Sequence, residues 1–344
     1  MPRAVRILAP LTALALTTAG CGALTEQDGP SSEDGVSVAA AFYALQYVTD
    51  RVAGDDIEVE NLTLPGGEPH DLELGVRESA LISDADLLVY LDGMQPAVDE
   101  AVAESANGEV LDAATAVDLV PFEDEHDHAH EGDEHADEEH ADEEHADEEH
   151  ADEEHADEEH ADEEHADEEH DHGEDDPHFW HDPIRMADLG DAVAEALAEI
   201  APDDAATFEQ NAAALRTDLE ALDEEFRTGL GDCEITTVVT NHDAFGYLEK
   251  YGLDLESING ITPDAEPTPA ALADLQDLIE EDGITTVFSE SLVSPAAAES
   301  LANDAGVDVE VLDPIEGLTD ETADEDYVSL MRHNLALLED ANRC

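Results

Sequence analysis

Hydrophobic and polar positions follow two alternating periods along most of the chain. Short apolar, β-branched runs at 36–40, 57–64 (IEVENLTL) and 87–91 (LLVYL) predict strands, with a shorter one at 109–112. Between them, 42–53, 76–83 and 95–105 read as helices. The second half repeats the pattern. Strands are expected at 235–240 (ITTVVT), 284–288 (ITTVF) and 307–312 (VDVEVL), helices at 244–251 and 295–305, and a last helix at 324–341. Thr268-Pro269 and Ser294-Pro295 each supply an N-cap followed by proline in the first turn, and Gly283 and Gly306 stand where helices should stop before strands. Alternating strands and helices predict an α/β fold with parallel sheets flanked by helices.

One helix differs from the rest. In 203–229, the apolar residues Phe208, Ala212, Leu215, Leu219, Leu222 and Phe226 are spaced alternately by four and three. That is one face of a helix roughly 40 Å long. Such a rod between two α/β halves would join two lobes; the alternative is an ordinary helix within one domain.

Charge adds a habitat. Of the 94 acidic residues, 32 lie in 123–176, and 62 remain elsewhere against 10 basic residues, of which only Lys250 is a lysine. This balance excludes a nucleic-acid binder that works by phosphate neutralisation. It also argues against a basic patch on anionic lipid. A folded surface this acidic repels itself at low ionic strength, so the chain is expected to work in high salt, where screening acts over about 3 Å at 1 M.

The first 21 residues read as an address. Arg3 and Arg6 precede 14 apolar positions, 7–20, too few to span a bilayer and suited to a signal peptide. They end in Thr18-Ala19-Gly20-Cys21, which resembles a lipobox with Cys21 as the lipidated residue; the alternative is a plain secretory signal. Residues 22–35 then read as a polar tether. With Cys21 lipidated, Cys233 and Cys344 remain, and an exported protein favours a disulfide between them over two free thiols.

The most unusual segment is 136–170, seven copies of Ala-Asp-Glu-Glu-His. It holds His140, His145, His150, His155, His160, His165 and His170, flanked by His126, His128, His130, His135 and His172. Five residues advance a helix by about 140° net, so successive histidines would share no face. Repeated like charges further predict a disordered tract. Imidazole and carboxylate in such a tract suit loose divalent-metal collection; the alternative is a solvated acidic spacer.

Five histidines remain: His70, His178, His181, His242 and His333. In doubly wound folds, sites form beyond the carboxyl ends of parallel strands. His70 follows the strand at 57–64 across a Pro-Gly-Gly turn, His242 lies two residues past 235–240, and Asp313 directly follows 307–312. His178 precedes the helix expected at 184–200. Three imidazoles and one carboxylate form a Zn²⁺ ligand set.

The runs 64–73 (LPGGEPHDLE), 176–183 (DPHFWHDP), 241–248 (NHDAFGYL) with 251–253 (YGL), and 312–314 (LDP) resemble the zinc-specific solute-binding proteins of metal ABC transporters. The resemblance covers essentially all of 36–344, including the acidic His-rich insertion and the long linking helix. It implies two lobes, each with a parallel sheet flanked by helices, joined by a long helix and holding metal in the cleft between them. The organisation that follows is a signal peptide at 1–21, a tether at 22–35, an N-terminal lobe at 36–202 containing the insertion 123–176, a linking helix at 203–229 and a C-terminal lobe at 230–344. It implies His70 and His178 as ligands from the first lobe and His242 and Asp313 from the second. The manganese branch usually has Glu where this chain has His242, which favours zinc. Glu290, in 287–290 (VFSE), is expected to buttress the cleft. Glu68 is a competing carboxylate. His181 replaces the usual apolar residue of its motif; its alternatives are a spare ligand, a group behind the ligands or a surface residue, the last two favoured, and His333 is expected at the surface.

The function so implied is extracytoplasmic Zn²⁺ capture by a lipid-anchored monomer on the outer face of the membrane, with delivery to an ABC permease and its ATPase. The alternatives are a manganese or other divalent-metal receptor, a surface zinc buffer or adhesin without a transporter, and a zinc hydrolase. Four protein ligands and no obvious general base argue against the hydrolase.

Overall fold

The computed structural model describes residues 35–121, 175–263, 265 and 267–344. Cys21 and the twelve histidines from His126 to His172 lie outside the described residues. Among the described residues, no helix is long and apolar enough to cross a membrane.

Two four-stranded sheets, both wholly parallel, form the frame. The first holds β1 (Val38–Ala40), β2 (Val59–Asn61), β3 (Leu87–Tyr90) and β4 (Glu109–Asp112) in the order β2-β1-β3-β4. The second holds β5 (Thr237–Thr240), β6 (Asp254–Ser257), β7 (Thr286–Ser289) and β8 (Asp308–Val311) in the order β6-β5-β7-β8. Each sheet reverses its winding between its first and third strands, so each presents a switch point at its carboxyl edge. The central strands β1 and β5 are buried throughout, as expected of parallel strands covered on both faces.

Helices α1 (Tyr43–Ala53), α2 (Val76–Asp84), α3 (Pro96–Ser105), α4 (Ala113–Ala116) and α5 (Pro183–Ile200) belong to the first lobe. Then comes α6 (Ala205–Gly229), the long helix expected from its apolar stripe, and all six stripe residues are buried. It packs on α1 and α5 and, toward its end, on α9. Helices α7 (Pro269–Asp282), α8 (Ala296–Ala305) and α9 (Tyr327–Asn342) complete the second lobe. Thr268 caps α7 by accepting the Ala271 N–H, with Pro269 in its first turn, and Gly283 ends it with φ at 67°, a left-handed conformation that favours glycine.

Local readings differ from the sequence pattern at several points, among them the following. Strand β6 was not expected, because Asp254, Glu256 and Ser257 hide the single apolar Leu255 of this half-buried edge strand. The segment expected as a helix at 244–251 is a 3-10 helix, Gly246–Tyr251. Helix α8 begins one residue later than the Ser-Pro pair suggested, with Pro295 as its N-cap.

The main apolar core is mostly aliphatic. It runs through the first lobe and α6 into α9 and the segment around Phe245, Leu248 and Leu253 of the second lobe. A smaller cluster around Val239, Ile279, Val287 and Leu301 fills the outer part of the second lobe. Cys233 and Cys344 are joined in a disulfide, with Cα atoms 3.8 Å apart. Beside it the Glu234 and Ile235 N–H groups both donate to the Asn342 carbonyl, so the chain end is fastened to the approach of β5.

Candidate metal centre

Four side chains from loops at the carboxyl edges of the two sheets meet at one point. They are His70, His178, His242 and Glu316, whose nearest ligand atoms all lie within 4.8 Å of one another. The His178 and His70 Nε2 atoms are 3.4 Å apart. Glu316 Oε1 lies 3.5 Å from His70 Nε2, 3.8 Å from His178 Nε2 and 3.5 Å from His242 Nε2. Four ligands held tetrahedrally at the usual Zn–N and Zn–O lengths would stand about 3.3 Å from one another. The set is therefore contracted almost to the size of a zinc shell.

Each loop is built to deliver its residue. In the first, Gly66 takes φ 79° and its N–H donates to the Leu318 carbonyl at 2.7 Å. The Glu68 carboxylate then closes the turn by accepting the His70 and Asp71 N–H groups, each at 3.0 Å. In the second, Asp176 Oδ1 accepts both the His178 N–H at 2.9 Å and His178 Nδ1–H at 2.8 Å. That contact leaves Nε2 as the free ligand atom. His242 repeats the device: Glu290 accepts its N–H at 2.9 Å and pairs with its Nδ1 at 2.5 Å. Glu290 thus buttresses the site as expected, through the ring it orients.

Glu316 arrives by a strained turn. Ile315 has φ 59°, a left-handed conformation that costs a β-branched residue about 1–3 kcal/mol. Its neighbours over-determine it. Asp313 Oδ1 accepts the Ile315 N–H at 2.8 Å, Asn334 bonds both main-chain groups of Asp313, and Trp180 Nε1 donates to the Pro314 carbonyl at 2.8 Å.

This corrects the fourth position read from sequence. Asp313 does not join the three imidazoles; its carboxylate is spent on the Ile315 N–H and the Ser291 hydroxyl. Its task is to shape the turn that carries Glu316. A sequence signal was available, since Pro314-Ile315-Glu316-Gly317 places a second carboxylate in the same turn after β8. Glu68 is likewise occupied with its own turn. His181 is buried rather than at the surface, packed 4.7 Å from the Phe245 ring, and neither ring nitrogen makes a hydrogen bond. His333 is exposed on α9.

The electrostatics fit a cation. His178, His242 and Glu316 are buried, and the His70 side chain is 12% exposed. His242 Nε2 and Glu316 Oε1 are buried atoms with no hydrogen-bond partner, both aimed at the common point. Such orphans are costly unless a ligand satisfies them. Burial opposes charge on His242, but the Glu290 carboxylate outweighs it and pushes the ring up to about 10. Burial raises Glu316, yet the His242 and His70 rings 3.5 Å from its Oε1 outweigh it and hold it well below the usual carboxylate range. Burial dominates at His178, which is lowered despite Asp176, and at His181, which falls to about 3. Three nitrogens and one carboxylate oxygen suit zinc better than manganese, which prefers oxygen ligands.

Two parallel-sheet lobes that converge three imidazoles and a carboxylate in a buried cleft define a metal-binding receptor fold. The chain belongs to the family described as zinc-uptake complex component A, periplasmic, which it matches over residues 38–341. It is 33% identical over 343 residues to the zinc-binding lipoprotein AdcA of Streptococcus pneumoniae, covering 97% of this chain and 60% of that protein. It is 30% identical to the high-affinity zinc uptake system protein ZnuA of Bacillus subtilis, covering 96% of this chain and 95% of that protein. Among solved structures, Zn(II)-bound AdcA of Streptococcus pneumoniae superposes with a TM-score of 0.67 at 30% identity, over 90% of this chain and 58% of that one. The chain therefore spans about 60% of the length of the AdcA relative it matches.

Proposed function

We propose that this chain captures Zn²⁺ outside the cytoplasm and delivers it to an ABC permease and its ATPase, as a monomer anchored to the membrane by a lipid on Cys21. His70, His178, His242 and Glu316 are the ligands in this reading. Zinc is cargo, and its shell of three neutral imidazoles and one carboxylate carries a net charge near +1 inside a strongly acidic protein. The observation that carries the reading is the convergence of three Nε2 atoms and Glu316 Oε1, two of them buried with no other partner. Membership of a zinc-uptake family supports it.

The His-rich tract, with His126, His128, His130, His135 and the histidines of the repeat through His172, serves as an accessory collector. Its two ends support this. Pro121 pairs with Asp175 and the Asp176 N–H donates to the Val120 carbonyl, so the insertion leaves and re-enters the fold beside His178. Zinc bound to the tract is thereby kept at a high effective concentration near the cleft.

The test is a zinc titration followed by the fluorescence of Trp180, the only tryptophan, whose ring lies 5.1 Å from that of His178. It is run with and without 124–173, against manganese. One tight equivalent should survive the deletion, with manganese failing to compete. The deletion should slow zinc capture when metal is scarce. Loss of all tight binding on deletion would make the tract the site and overturn the cleft reading.

Protonation should compete with zinc. His242 is held protonated up to about 10 in the metal-free protein, and its Nε2 proton must leave when zinc binds. Because the metal-bound form carries fewer protons, affinity should rise with pH, by about tenfold per unit between pH 7 and 8.5. Chelator competition across that range measures the slope. A flat profile would show that no ligand proton is displaced.

A further inference from the structure

The 3-10 helix Gly246–Tyr251 starts four residues after His242, in the connection from β5 to β6, and so belongs to the second lobe. Its side chains nevertheless reach the first. The Tyr247 hydroxyl accepts the Val120 N–H at 3.1 Å and donates to the Asp176 carbonyl at 2.8 Å. Lys250 Nζ bonds Asp182 Oδ1 at 2.6 Å and pairs with Asp223 Oδ1 of α6 at 2.9 Å. Tyr251 donates to the same Asp223 oxygen at 2.8 Å. The Arg185 guanidinium sits 5.2 Å over the Tyr247 ring.

The segment between the two anchor points is the loop that carries His178. Asp176, whose carbonyl is held by Tyr247, orients the His178 ring through its carboxylate. Asp182, held by Lys250, closes the loop at its other end and caps α5 by accepting the Ile184 N–H. Between them, the Phe245 ring packs on His181. Tyr327 of α9 adds a third tie by donating to the Trp180 carbonyl at 2.6 Å. Lys250 is the sole lysine in a chain with 94 acids, and the two carboxylates that receive it are nearly buried, at 10% and 6% side-chain exposure. The Lys250 side chain is 30% exposed, so its charge stays open to solvent while the carboxylates it meets do not.

None of these contacts needs a metal. We propose that the 245–251 segment is a metal-independent clamp that fastens the His178 loop of the first lobe to the second, with Tyr247 and Lys250 as its positioning residues. His178 and His242 are then held side by side before zinc arrives. The clamp stands on geometry alone; its consequence for zinc rests on the ligand set proposed above.

The double variant Tyr247→Phe/Lys250→Met in the otherwise intact chain tests it. The first readout is acrylamide quenching of Trp180 in metal-free protein. Trp180 is fully buried, so quenching in the parent is small, and release of the loop should raise it at least about threefold while the protein stays folded. The second readout is zinc dissociation, which should accelerate about tenfold, as for the loss of other groups that orient ligands. Lys250→Arg alone, which keeps the cation and Tyr247, should leave both readouts at the parent's values. Arg332→Ala, which removes the exposed Arg332–Glu225 pair between α9 and α6, should move neither. If the double variant does not fold, Tyr247→Phe alone, which deletes one oxygen, is read the same way. A folded, metal-free variant whose Trp180 stays as protected as in the parent would overturn the clamp. The quenching readout contains no zinc, so it does not depend on the ligand assignment.

Discussion

Replacing Glu316 by alanine should weaken zinc binding by at least about 100-fold, beyond the 10–100-fold typical of outer-shell changes, whereas Asp313→Asn should cost less than about tenfold. The asymmetry follows from what each carboxylate touches. Glu316 Oε1 faces three imidazole Nε2 atoms at 3.5–3.8 Å and has no hydrogen bond of its own. Removing it leaves His242 with Glu290 but takes away the only carboxylate of the four-residue cluster. In the Asp313→Asn variant, the amide oxygen still accepts the Ile315 N–H, so the turn persists and Glu316 keeps its aim. Competition with a chelator of known zinc affinity, at one fixed pH, measures both. The reverse order, with Asp313→Asn abolishing tight binding and Glu316→Ala sparing it, would restore the ligand expected from sequence.

Loss of the disulfide should have the largest effect on stability. The Cys233→Ser/Cys344→Ser variant opens a loop with a sequence separation of 111 residues. For a loop of that order, chain entropy assigns the cross-link about 4–5 kcal/mol. In a domain this large, that corresponds to a fall in Tm of about 6–9 °C. Zinc affinity at 25 °C should be nearly unchanged. Cys233 lies before β5, at the end of the sheet away from the site, whereas His242 follows the carboxyl end of the same strand. Thermal melts of the metal-free protein, with and without reductant, test the first part, and the chelator assay tests the second. A Tm shift below about 3 °C would mean that the backbone bonds of Glu234 and Ile235 to Asn342 hold the chain end by themselves.

Much of the frame is legible in one dimension because it obeys simple periods. The stripe from Phe208 to Phe226 keeps helical spacing through most of the 25 residues of α6, and α6 buries that stripe. Thr268 and Gly283 mark the ends of α7 because a cap and a left-handed stop are local devices. Strand β6 was hidden because this edge strand carries a single apolar side chain, the half-buried Leu255, and alternation cannot register with a single member. The 3-10 geometry of 246–251 was hidden for a different reason. Its spacing looks helical, but its conformation answers to Val120, Asp176 and Asp182, residues of the other lobe.

The site divides the same way. His70, His178 and His242 could be picked out because histidine is scarce outside the acidic tract and each follows a strand or precedes a helix at the sheet edges. The fourth ligand position could not. Asp313 and Glu316 share one short turn, and both are carboxylates near a strand end. Which of them reaches the three Nε2 atoms depends on the left-handed conformation of Ile315. That conformation is held by Asn334, 21 positions from Asp313, and by Trp180, 134 positions from Pro314. By itself, then, the sequence determined the two-sheet frame, the long helix, the three imidazoles and the acidic character, because periodicity, caps and residue chemistry are local properties. The tertiary structure alone decided that Glu316 faces the metal point, that Asp313 serves the turn, that His181 is buried and that the two ligand-bearing loops are tied to each other. Each of these depends on contacts between segments far apart in the chain, which no local pattern records.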